Sequence, residues 1–106
     1  MQEYIQYVLE LILKLPRPEK FNIGNEYKTS MYQMLEHTLF LSKIEEKERL
    51  NHCNKIDAIL NLQRIYLRIM YKNRWIDEKK FQICISKIAE IGKITGGLIK
   101  YYAKNN

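Results

Sequence analysis

The chain is poor in the residues that break regular structure, with only four Gly and two Pro among 106. Punctuation that sparse excludes a many-stranded β protein, whose turns consume both residues, while the abundance of Leu, Ile, Lys, Glu and Gln favours helices. Long apolar runs are missing too. No stretch approaches the roughly 18 apolar residues of a membrane-crossing helix, and the N-terminus has neither a basic segment ahead of its apolar stretch nor a small-residue cleavage site. These absences predict a soluble, cytoplasmic protein with no membrane partner. Cysteine is limited to Cys53 and Cys84, each inside a helical pattern and without a CxxC partner, which predicts buried free thiols rather than a disulfide or a metal site.

Catalytic signatures are also absent. The chain has no GxxxxGK[ST] phosphate loop, no GxSxG elbow and no HExxH helix. His37 and His52 fall in different helices, and His52 and Cys53 point to different faces, so a metal site would lack ligands. Small helical ribonucleases of the HEPN type carry an Arg followed four to six residues later by His; here Arg49 precedes His52 by only three, which counts against that class. The expectation is a protein that is not an enzyme, with no catalytic residue, no metal and no cofactor.

What is present is helical patterning over a single domain, residues 1–106. Tyr4, Val8, Leu11, Ile12 and Leu15 make one stripe, ended by Pro16-Arg17-Pro18. A second helix from about Asn25, a plausible N-cap, sets Tyr27, Met31, Met34, Leu35, Thr38, Leu41 and Ser42 on one side. The charged run Glu45-Glu46-Lys47-Glu48-Arg49 reads as a connection. A third helix, about Leu50 to Lys72, has Cys53, Ile56, Ile59, Leu60, Tyr66, Leu67 and Met70 on a first face and Ala58, Leu62, Ile65 and Ile69 on a second. Asp77 caps a fourth, whose inner face is Phe81, Cys84, Ile85, Ile88, Gly92, Thr95, Ile99 and Tyr102. Ile83, Ile94, Leu98 and Tyr101 form its second patch. Four helices with short connections predict an all-α, up-down-up-down antiparallel four-helix bundle.

The second apolar faces need a partner outside the bundle. Leu62, Ile65, Ile69, Ile83, Ile94, Leu98 and Tyr101 are therefore the candidate interface of a homo-oligomer. Gly92 and Gly96 share a stripe with Ala89 and Ala103, and Gly97 follows at once. Glycine inside a helix costs about 1 kcal/mol against alanine, so this stripe predicts close packing of another helix.

Charge is lopsided. Residues 1–53 carry seven Lys/Arg against eight Asp/Glu, whereas residues 54–106 carry eleven against four. Arg64, Arg68 and Lys72 repeat at one helical turn, about 6 Å apart, and Arg74 follows. That spacing suits successive backbone phosphates and reads no sequence. Lys79, Lys93, Lys100 and Lys104 extend the candidate nucleic-acid-binding surface along the fourth helix, with Tyr71, Trp75, Tyr101 and Tyr102 as aromatics close to the cations. Phosphate contacts serve RNA and DNA alike.

Two segments carry a family resemblance. LPRPEKFNIGNEYK, residues 15–28, resembles the turn between the first two helices of the accessory variability determinant (Avd) proteins of diversity-generating retroelements, and EIGKITGGLIK, residues 90–100, is similar to their glycine-bearing last helix. The intervening-sequence proteins encoded within some bacterial large-subunit rRNA genes share the four-helix fold, and the resemblance spans nearly the whole chain. It marks Pro16, Ile23, Gly24, Glu90, Ile91, Gly92, Gly96 and Gly97 as fold-defining, and puts Arg68 in a segment similar to the family's basic one. It implies a non-enzymatic homopentamer with a basic surface that binds nucleic acid. It further implies association with the retroelement reverse transcriptase, supporting mutagenic cDNA synthesis. The alternative is an interaction protein of the intervening-sequence type without a retroelement role.

Overall fold

The computed structural model describes residues 1–105, with side chains through Lys104, and every regular element among them is helical. In chain order these are α1 (Gln2–Leu13), the single turn α2 (Arg17–Lys20), α3 (Ile23–Phe40), α4 (Glu46–Lys72) and α5 (Glu78–Asn105). At a rise of about 1.5 Å per residue, α5 is about 42 Å long, which accounts for the 45 Å long axis of a molecule only 21 by 19 Å across. α1 packs on α3 and α5, α3 on α4, and α4 on α5.

Side-chain contacts locate the helices along one another. Ile12 of α1 meets Gly24 of α3, and Thr38 near the other end of α3 reaches the sulfur of Met1. His37 meets His52 and Tyr27 meets Tyr66 between α3 and α4; Gly92 meets Arg64 and Phe81 stacks on Tyr71 between α4 and α5. Lys87 of α5 lies over the Tyr7 ring of α1. The core between them contains Val8 and Ile12 of α1, Tyr27, Met31 and Met34 of α3, Leu60, Leu67 and Met70 of α4, and Ile88 of α5. Cys53 and Cys84 are buried free thiols, as the sequence predicts; burial raises both, Cys84 to about 12.

Several boundaries differ from expectation. α1 closes at Leu13, and Pro18 then sits in the first turn of α2, where its missing N–H costs nothing. Asn25 is not a cap: α3 begins at Ile23, and the Asn25 amide donates to the Phe21 carbonyl. Most of the charged run expected as a connection is helical, because Glu46 and Glu48 favour the positive end of α4. Asp77 does cap α5, its carboxylate accepting the Lys80 N–H at 2.8 Å.

Inside the core lies a polar ring that the sequence did not announce. The Tyr4 hydroxyl donates to Gln63 Oε1 at 2.6 Å, and Gln63 Nε2 donates to Ser30 Oγ at 3.1 Å. Ser30 Oγ in turn donates to the Tyr27 carbonyl at 2.6 Å. Tyr4 has a single proton, already committed to Gln63, so the 2.6 Å contact with Tyr27 is closed by the Tyr27 hydroxyl donating. The ring ties α1, α3 and α4 with each of these groups satisfied, and burial pushes both phenols well above their ordinary range.

The glycine stripe does not pack as expected. A Cβ on Gly92 would lie 3.3 Å from the Arg64 guanidinium, but Gly96 and Gly97 have nothing within 4 Å of the space a Cβ would fill. Ala89 and Ala103 are exposed. Among the described residues, α4 reaches the groove only at Gly92 and leaves it open at Gly96 and Gly97.

Candidate nucleic-acid interface

Arg64 is held most firmly of the predicted basic residues. Its Nη1 donates to Asn61 Oδ1 at 2.7 Å, one turn earlier on α4, while Nη2 lies against Gly92. The missing Cβ at Gly92 is what lets the guanidinium lie across α5. Arg68 and Lys72 continue the row in the open, and Arg74, Lys79, Lys93, Lys100 and Lys104 are also exposed. The only ion pairs among the described residues are Lys47 with Glu45 and Lys80 with Asp77, so none of these eight cations is neutralised by a carboxylate.

The eight do not form one cluster. With Arg64 opposite Gly92 and Tyr71 opposite Phe81, Lys79 falls at the Lys72–Arg74 end of the pair and Lys93 near its middle. Lys100 and Lys104 fall at the far end, alongside the start of α4. The positive charge is thus a track along two helices, suited to a linear polyanion more than to a compact one.

Beside this track lies exposed apolar surface. Leu62, Ile65 and Ile69 on α4 are 40%, 49% and 41% exposed, and Ile94 and Tyr101 on α5 are 68% and 57% exposed. Ile83 and Leu98 are half-buried, because each borders the inner face. Leu13, Phe21, Leu39 and Phe40 are exposed as well, on the opposite half of the chain; the stripes of the first and second helices did not include them.

Where α4 turns into α5 the backbone makes a specific cap. The Trp75 N–H bonds the Met70 carbonyl at 2.9 Å and the Arg74 N–H bonds the Tyr71 carbonyl at 3.0 Å, the paired bonds of a Schellman motif. Its left-handed position, usually glycine, is Arg74 with φ 62°. A cleft of about 410 Å³ opens there between the end of α1 and the start of α5, with Lys14, Tyr71, Arg74, Trp75 and Lys80 in its wall.

Two histidines that the sequence placed apart are joined. His37 Nδ1 and His52 Nδ1 are 2.8 Å from each other, so one donates while the other accepts, and the Phe40 ring meets His52 edge-on. Burial, and then the neighbouring His52, hold His37 below its ordinary value. Arg49 Nε is buried in the same helix without a hydrogen-bond partner. A separation of 15 residues across a helix connection gives no periodic signal that would reveal such a pair. Among the described residues no group of three or more His, Cys, Asp or Glu side chains is placed so that it could hold a metal ion, and no helix there is long and apolar enough to cross a membrane.

A family model described as bAvd-like matches residues 1–102. The chain belongs to that family. Membership agrees with the resemblance carried by residues 15–28 and 90–100, and it identifies an accessory variability determinant type of protein. Neither a curated protein nor a solved structure matches the chain.

Proposed function

We propose that this Avd-type protein is a non-enzymatic accessory subunit that binds nucleic acid along the α4–α5 track, in the cytoplasm, and brings it to the reverse transcriptase of a diversity-generating retroelement. The observation that carries the reading is the row Arg64, Arg68 and Lys72 with Arg74, Lys79, Lys93, Lys100 and Lys104, all without acidic partners on the half of the sequence that holds the entire positive excess. A chain that spends exposed cations this way gains affinity through counterion release from a polyanion. Residues 1–106 act as one domain, an up-down-up-down bundle; the contact pairs Ile12–Gly24, His37–His52, Tyr71–Phe81 and Tyr7–Lys87 support antiparallel neighbours throughout.

The homo-oligomer, a pentamer by family resemblance, uses Leu62, Ile65, Ile69, Ile83, Ile94, Leu98 and Tyr101. The exposure of Leu62, Ile65, Ile69, Ile94 and Tyr101 supports this reading, since an apolar strip on two adjacent helices of so small a protein is costly in water. The test is the double substitution Arg64→Glu and Arg68→Glu. Anisotropy with a labelled structured RNA at two salt concentrations should show affinity falling by at least about tenfold. Circular dichroism and light-scattering mass should stay unchanged. Undiminished binding by the double variant would overturn the assignment of the track.

A further inference from the structure

We infer that the cleft at the α4–α5 corner holds an unpaired nucleotide at a strand end or in a single-stranded segment, which makes the protein prefer unpaired over duplex nucleic acid. This rests on the nucleic-acid reading above and adds a specificity that the phosphate track lacks.

Its volume of about 410 Å³ falls in the range of small-ligand sites, roughly 300–1,000 Å³. Its wall combines three kinds of group that an unpaired nucleotide needs. Trp75 and Tyr71 supply aromatic surface; Tyr71 has one face taken by parallel stacking on Phe81 at 4.6 Å, which fixes its ring and leaves the other face for a base. Lys14 and Arg74 are cations without a carboxylate partner among the described residues, and they approach from α1 and from the corner, on different elements. Glu78 is an unpaired carboxylate in the same wall, able to accept from the amino and imino protons of a Watson–Crick edge. Base faces and that edge are hidden in a duplex. The other carboxylate of the wall, Asp77, is occupied with the Lys80 N–H and ammonium.

The backbone gives the second, independent reason. Arg74 occupies the left-handed position of the helix cap with φ 62°, where glycine carries no steric penalty and any residue with a Cβ does. A strained residue held at the lip of a cleft, with its side chain free of internal partners, is the pattern of a position retained for a ligand rather than for the fold. A sequence chosen for stability alone would read glycine here.

Trp75 is the only tryptophan of the chain, so its fluorescence is a local reporter at the cleft wall. The experiment titrates the intact protein with a hairpin RNA bearing an unpaired 3′ overhang and with the same hairpin made blunt. Binding is followed by anisotropy of a label on the hairpin loop and by Trp75 emission. The overhang should bind at least about fivefold more tightly and quench Trp75. Arg74→Gly should raise the melting temperature by relieving the cap and, because Arg74 also belongs to the track, weaken both hairpins; it should still erase the overhang preference, the overhang losing at least about fivefold more affinity than the blunt hairpin. Equal affinities with unmoved Trp75 emission would overturn the inference while leaving the track intact. A preference that survives in Arg74→Gly, or quenching by an acidic peptide in place of the overhang, would overturn it too. Absence of binding to either hairpin would fail the nucleic-acid reading itself, and with it this one.

Discussion

Gly24 and the Gly96-Gly97 pair share a residue type and a helical setting, yet their surroundings are opposite. A Cβ at Gly24 would meet Ile12 Cγ2 at 2.9 Å and the Glu19 carbonyl at 3.1 Å, whereas at Gly96 or Gly97 it would meet nothing within 4 Å. At Gly24 the α1–α3 contact is closed: the glycine is demanded by neighbours of the same chain, and behind it Tyr4, Tyr27 and Ser30 are hydrogen-bonded in the core, although Leu13, Phe21, Leu39 and Phe40 stay exposed on that half. The outward side of α4 and α5 is open, with uncovered apolar side chains, cations without carboxylates, and glycines that cost helix stability for no contact inside the chain. Among the described residues no neighbour at Gly96 or Gly97 offsets that cost.

The sharpest way to break this contrast is at its closed end. Gly24→Ala should destabilise by about 2–3 kcal/mol, because one of the two obstructing groups is backbone and cannot swing aside; denaturant unfolding should show the midpoint fall with an unchanged slope. Tyr4→Phe removes the only hydroxyl proton that Gln63 Oε1 receives and leaves Tyr27 without its acceptor. It should cost about 1–2 kcal/mol in the same assay. At the open end the sign reverses. Gly96→Ala with Gly97→Ala should raise the stability of the isolated chain by up to about 1 kcal/mol each through helix propensity, while light scattering should show a weakened oligomer if subunits approach each other along that groove. Stabilisation together with unchanged assembly would mean the groove serves neither the bundle nor the oligomer.

Periodicity carried most of the architecture. It separated the two faces of α4 correctly: Cys53, Ile56, Leu60, Leu67 and Met70 are buried, while Leu62, Ile65 and Ile69 are exposed. It failed where local chemistry overrode pattern. The acidic start of α4 looked like a linker because it has no apolar residue to pack, yet carboxylates are welcome at a helix N-terminus. Gln63 went unremarked because a polar residue on a wheel is assigned to solvent by default, and only the tertiary partners Tyr4 and Ser30 make its burial affordable. The glycine stripe was visible, but spacing cannot distinguish a groove filled within the chain from one left open. Of the candidate site, the basic row on α4 was legible because it lies on one helix. The cleft beside Trp75 was not, since it is assembled from α1, α4 and α5 and from a backbone turn whose usual marker, glycine, is replaced by Arg74.

The hydrogen-bonded ring of Tyr4, Gln63, Ser30 and Tyr27 has a sense of direction: Tyr27 gives to Tyr4, Tyr4 to Gln63, Gln63 to Ser30, and Ser30 back to the carbonyl of Tyr27. It behaves as a combination lock with one setting. α1 has only 12 residues, too few to be a stable helix alone, and an apolar stripe by itself fixes its position along α3 and α5 only loosely. A slip of one turn, about 5.4 Å, would strand the Tyr4 and Tyr27 hydroxyls and Gln63 Oε1 in the core, each at about 1–3 kcal/mol, while the Gln63–Ser30 and Ser30–Tyr27 bonds stayed in place. Oily surface brings the shortest of the four long helices to the bundle, and the Tyr4 hydroxyl with its two partners, Tyr27 and Gln63, decides where along it the helix comes to rest.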